Sequence, residues 1–198
     1  MRQNANKREA ILDAAVEEFQ EHGLYGANMD RIAERAPASK RTVYKYFRTK
    51  EELFQAAVSV TLEQISTLKK IHYDSGRGLE DQLADFAQAK ASIAENPTWL
   101  GLMRVALAAF IQDPYLLKTT LGKAEEGEDT LVTWLKAAQA DGRLGVPNVE
   151  LAAKMFWSMS AGVLLWPQVL HSPMDPSIRE ILKGELVRLF LRNHEIKR

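Results

Sequence analysis

Apolar residues recur along this chain at helical spacing, and the polar residues between the runs supply caps and stops. From Asn6 to His22, Ile11, Ala15 and Phe19 form one stripe with Leu12 and Val16 beside it, while Glu17, Glu18 and Glu21 fall mostly off it. Gly23 is placed as the left-handed stop. Asn28 reads as the N-cap of a short second helix that buries Met29, Ile32, Ala33 and Ala36. Pro37 interrupts it, and Ser39 caps a third helix in which Val43 and Phe47, four apart, share one face. Thr49 and Glu52 form a capping box for a fourth helix, expected to reach about Ile71 with Leu53, Phe54, Ala57 and Val58 inward.

The remainder continues in the same period. A loop at 72–78 precedes a helix from Leu79 to Asn96, with Leu83, Phe86, Ala87 and Ile93 inward. Pro97 and Pro114 bracket a helix from Thr98 to Gln112, its inner residues Trp99, Met103, Ala106, Leu107 and Phe110. A longer helix is expected over about Tyr115 to Asp141, with Gly122 or Gly127 as break points and Gly142 at its stop. Asn148 caps a helix to about Leu170, and Asp175 with Pro176 opens a last one to about Glu195. No segment reads as a strand, so the fold class is all-α.

The third helix carries the chemistry. Between Arg35 and Lys50 there are six Lys or Arg residues and no acid. An apolar back with a basic, tyrosine-bearing front suits a DNA major groove, where cations meet phosphates and long donors reach base edges. The net charge of zero argues against nucleic acid, but its distribution does not: residues 1–50 hold ten basic and seven acidic side chains, the rest sixteen and nineteen. A basic head on an acidic body orients the head toward DNA. Arg2, Lys7 and Arg8, at the start of the chain, either reach a phosphate backbone or belong to an ordinary solvated terminus.

REAILDAAVEEFQEHGLYGANMDRIAERA, then SKRTVYKYF, then TKEELF resembles the N-terminal DNA-binding domain of the tetracycline-repressor (TetR/AcrR-like) transcriptional regulators over residues 7–58. FWSMSAGVLLWPQVL resembles the AefR-like branch. The resemblance implies a three-helix helix-turn-helix head at 1–48 and a helical ligand-binding and dimerisation body at 49–198, whose segment 49–71 is the connecting helix. It implies a homodimeric repressor on a palindromic operator of double-stranded DNA. Asn28, Ser39, Lys40, Arg41, Thr42, Tyr44, Lys45, Tyr46 and Lys50 are then the DNA-binding candidates. Two residues depart from the family. Pro37 stands where Gly is common, and because Pro cannot supply a positive φ, a reshaped turn with an extended Ala36 is expected. Arg41 also stands where Gly is common; it either reads a guanine edge or binds phosphate.

Val163, Trp166, Leu182, Leu186 and Leu189, on the last two helices, are the dimer-interface candidates by the same resemblance, where two helices from each subunit would pack together. Trp99, Met103, Phe110, Trp134, Met155, Phe156, Met159 and Trp166 are candidates to line a pocket for a small apolar or aromatic effector that releases the repressor. Four scattered histidines, no cysteine and no glycine-rich phosphate loop leave no catalytic, metal or cofactor site. No run is long enough to span a membrane and no signal region precedes the first helix, so a cytoplasmic location is expected. The alternative reading is a helical adaptor or architectural protein with weak, non-specific DNA binding.

Overall fold

The computed structural model describes residues 2–65, 71–121, 130–171, 173–194 and 196. Its helices are α1 (Arg2–Gly26), α2 (Met29–Arg35), α3 (Lys40–Tyr46), α4 (Lys50–Ile65), α5 (Leu79–Ile93), α6 (Pro97–Gln112), α7 (Pro114–Leu121), α8 (Thr130–Ala140), α9 (Val149–Ser160), α10 (Trp166–Leu170) and α11 (Pro176–His194). Among the described residues there is no strand, only an isolated bridge at Leu144. Two compact units do not follow chain order. One joins Met1–Gln64 to Pro97–Glu126, the other Ile65–Asn96 to Gly127–Arg198.

In the first unit, Ile11, Ala15 and Phe19 of α1 are fully buried, as are Ile32 of α2, Val43 of α3, and Leu53 and Phe54 of α4. Phe19 and Phe54 meet edge to face, 5.1 Å between centroids. Gly23 adopts φ 68°, ψ 173°, a region essentially closed to other residues, and the helix breaks there before one more turn to Gly26. α6 packs on α1. Gln20 Nε2 donates to the Thr98 carbonyl at 2.8 Å, and a Cβ at Gly101 would come within 2.7 Å of that amide nitrogen. The absence of a side chain at Gly101 therefore lets the Gln20 amide pass. α4 is tied to α7 by Gln55 Nε2 donating to Thr119 Oγ1 at 2.7 Å. Ile71 lies outside α4, and residues 66–70 are outside the described set.

The turn between α2 and α3 differs from expectation. α2 ends at Arg35, and Ala36 sits at φ −79°, ψ 11°, not extended. Pro37 stands at φ 28°. The Ala38 N–H donates to the Ala33 carbonyl at 3.1 Å, the outer bond of a Schellman closure. Pro37 thus occupies the position glycine usually fills and has no N–H for the inner bond. Closure by Ala38 and burial of Ala36 against the core override the local preference of the X–Pro pair.

The second unit is centred on aromatic rings. Tyr73, Trp134, Phe86, Trp157, Phe156 and Phe190 follow one another in edge-to-face contacts of 5.3–6.0 Å. The loop before α5 is held from beneath by Gln82, whose side chain is fully buried. Its Oε1 accepts from the Asp74 N–H at 2.8 Å and the Trp134 indole at 3.0 Å, while Nε2 donates to the carbonyls of Asp74 and Arg77. Of the helix expected over 115–141 with a break at Gly122 or Gly127, α7 covers the part to Leu121 and α8 the part from Thr130, and both glycines lie outside the described residues. The helix expected over 149–170 contains a π segment, Ala161–Leu165, in which the Trp166 N–H reaches back to the Ala161 carbonyl. Pro167 explains it: with no N–H and a ring that crowds the preceding turn, it cannot continue an α ladder. Gln168 Nε2 takes the Leu164 carbonyl instead, at 2.7 Å.

Candidate nucleic-acid interface

The geometry of α2 and α3 begins with their caps. Asn28 Oδ1 accepts from the Asp30 N–H at 2.7 Å, and Ser39 Oγ from the Thr42 N–H at 3.2 Å. Each satisfies a donor that a helix start would leave orphaned. Val43 and Phe47 are buried, so α3 has its apolar back on the core. Lys40, Arg41, Tyr44 and Lys45 are exposed, Thr42 and Tyr46 half-buried. The Thr42 hydroxyl is engaged with Ser39 Oγ at 2.8 Å.

Three of the six basic residues are already occupied. Arg35 reaches Glu21 and, at 3.5 Å, Glu17. Lys40 Nζ lies 2.5 Å from Asp30 Oδ2, and that hydrogen bond holds its ammonium above the usual lysine range. Lys50 Nζ donates to the Tyr25 carbonyl at 2.8 Å and lies 6.0 Å from the Tyr25 ring centroid. Arg41, Lys45 and Arg48 form no ion pair among the described residues. Arg8 lies over the Phe47 ring at 5.5 Å.

Between α1 and α2 runs a network that the helical pattern did not reveal. Glu18, placed mostly off the apolar stripe of α1 by its spacing, is fully buried. One carboxylate oxygen accepts from the Asn28 N–H at 3.0 Å and from Arg31 Nε at 2.7 Å. Burial works to raise the Glu18 carboxyl, but the Arg31 and Asn28 hydrogen bonds and the Arg31 and His22 charges together hold it below its ordinary value. Arg31 also donates to the Gly26 carbonyl at 2.8 Å. Glu18, Glu21 and His22 bring three potential ligand atoms within 4.8 Å of one another. Arg31 and Arg35 lie on the same carboxylates, so the cluster works as an ionic joint fixing α2 on α1. The signal in the sequence was the complementary spacing of Glu17/Glu21 and Arg31/Arg35, each four apart.

A helix-turn-helix pair with a buried back and an exposed basic crest is a DNA-docking shape. The sequence profile of the bacterial regulatory proteins of the tetR family matches residues 11–57. That of the AefR-like transcriptional repressor C-terminal domain matches residues 81–195, more than half of the chain. The chain belongs to the tetR family, in its AefR-like branch. It is 32% identical to a TetR family transcriptional regulator from Pseudomonas syringae pv. tomato str. DC3000, whose crystal structure superposes with a TM-score of 0.77 over 96% of this chain and 97% of that one. It resembles the Flavonoid-responsive Regulator FrrA at 25% identity, TM-score 0.76, over 98% of this chain and all of that one. The HTH-type transcriptional repressor SCO4008 of Streptomyces coelicolor is 34% identical over 92 residues, 46% of this chain. The match spans about half of that relative's length, 48%.

This TetR-family protein is therefore a DNA-binding transcriptional regulator and not an enzyme. No helix among the described residues is long and apolar enough to cross a membrane. Its pocket candidates are dispersed. Trp99, Met103 and Phe110 are buried on α6 in the first unit, Trp134 and Phe156 in the core of the second, and Met155 and Trp166 are exposed. Trp134 lines a cavity of about 330 Å³ with Tyr73, Thr130 and Thr133, and Met159 a cleft of about 380 Å³ between α9 and α11. Val163, Leu182, Leu186 and Leu189 line that same cleft.

Proposed function

We propose that this regulator is a homodimeric repressor that binds a palindromic operator and is released by a small aromatic effector in the cytoplasm. Residues 1–48 act as the DNA-binding head and 49–198 as the ligand-binding and dimerisation body. Arg41, Thr42, Tyr44, Lys45 and Tyr46 face the groove, Asn28 and Ser39 hold the two helices at their starts, and Lys40 and Lys50 brace the head.

One observation carries the dimer. Leu151, Met155 and Trp166 on α9 and α10, and Ile178, Ile181 and Leu189 on α11, are large apolar side chains left exposed. A cleft lined by Met159, Val163, Leu182 and Leu189 joins the two helices across this face. An apolar surface of that kind on a water-exposed helix pair calls for a partner, and a second copy closes it with two-fold symmetry. Two heads roughly 34 Å apart then engage successive major grooves. Support for the effector class comes from the Trp134 and Tyr73 walls of the smaller cavity and from the likeness to a flavonoid-responsive regulator. The repressor reading leans on the AefR-like profile and the SCO4008 match.

Sedimentation equilibrium combined with selection of bound sequences from a random DNA pool tests the proposal. A dimer enriching an inverted repeat is expected, and flavonoid-like aromatics should weaken its binding. A monomer at micromolar concentration would refute the dimer. Equal affinity for all sequences would leave only the architectural reading.

A further inference from the structure

Three long basic side chains rise from α3, and the structure places them differently. At 3.6 residues per turn, Arg41 and Lys45 lie about 160° around the helix from the buried Val43, on the crest farthest from the core, while Lys40 lies only about 60° away. Lys40 is thus on the flank, where Asp30 of α2 holds it. Arg41 is exposed, in the first turn, with no ion pair among the described residues. Recognition helices meet base edges with their N-terminal residues. Arg41 meets that condition and Lys45, a full turn later, meets it less well. A guanidinium offers two parallel donors matched to the O6 and N7 acceptors of guanine, which an ammonium cannot reproduce.

We propose that Arg41 reads a guanine in each operator half-site, and that Asp30 withholds Lys40 from the groove so that the arginine alone sets this position. The inference rests on the reading of α3 as the groove-entering helix.

The test is selection from a random DNA pool with the full-length wild type, Arg41→Ala and Asp30→Asn, each first shown to fold by circular dichroism. The wild type should enrich a sequence with one fixed guanine per half-site, and Arg41→Ala should lose preference at that position alone. Replacing that guanine by 7-deazaguanine, which lacks the N7 acceptor, should weaken wild-type binding about 5- to 150-fold per half-site and leave Arg41→Ala unaffected. Asp30→Asn should free Lys40 for phosphate, tightening operator and random DNA alike and steepening the salt dependence by about one unit per protomer. If Arg41→Ala weakens every sequence equally and keeps the guanine, the arginine is a phosphate contact and its assignment is overturned. If Asp30→Asn changes nothing, the withheld lysine is overturned. A wild type that enriches no sequence at all would instead remove the reading of α3 itself.

Discussion

Replacing Pro37 by glycine should make this protein more stable, the opposite of what removing a proline from a turn usually does. Pro37 sits at φ 28°, far from the value near −65° that its ring prefers, at a cost of at least about 1–3 kcal/mol. Glycine removes that strain. It also supplies an N–H to the Glu34 carbonyl, the inner bond of the Schellman closure that Ala38 and Ala33 already half-complete. That bond contributes at most about 0.5–1.5 kcal/mol, with the low end apt because Pro37 is exposed. Against these gains, the unfolded chain becomes freer, costing about 0.4–1 kcal/mol. The balance is a stabilisation of about 0.5–3 kcal/mol, or roughly 1–12 °C in Tm for a chain of this length. Far-UV circular dichroism melts at matched protomer concentration measure it, since assembly itself shifts Tm. Pro37→Ala should fall between the two, because it restores the donor but keeps a Cβ. A glycine variant that melts lower than wild type by the entropy cost alone would show that the proline is unstrained, and the argument would fail.

Other expectations follow from the same structure. Gly23→Ala meets no neighbour within 4 Å yet should cost about 1–3 kcal/mol in urea unfolding from backbone strain alone, and a neutral result would contradict the φ and ψ assigned to it. Glu18 has a lowered folded pKa, so its contribution is fully present above 4.5 and is lost as pH falls through the lower folded value. Glu18→Gln should accordingly cost about 1–2 kcal/mol near neutral pH and converge with wild type in acid, as read from denaturant midpoints across pH. Gln82→Leu leaves the Asp74 N–H and the Trp134 indole unpaired; a loss of about 2–4 kcal/mol and faster hydrogen exchange in 71–78 are expected, and unchanged exchange there would count against its role as the loop's anchor. Met155→Glu with Leu189→Glu should yield a folded monomer by sedimentation, since both side chains are exposed within one protomer.

Local physics made much of this protein readable from its residues. The caps at Asn28, Ser39 and Asn148 hold in the structure, as does the glycine at the positive-φ stop after α8, because each depends on atoms within a few positions in the chain. The apolar back of α3 followed from Val43 and Phe47 for the same reason. The family, too, was legible, since spacing across residues 7–58 records a fixed packing of three helices. What periodicity could not tell is which groups meet across elements. Six basic residues looked alike in sequence, yet Glu21, Asp30 and the Tyr25 carbonyl occupy three of them. Glu18 looked like surface and became the buried joint of the head, because α2 delivers Arg31 to it. The large aromatics named as pocket candidates fall in both compact units, a division that helical spacing does not show. Helical spacing defines the face a residue occupies on its own helix. Only the approach of a second helix decides whether that face meets water, a counter-charge or another ring.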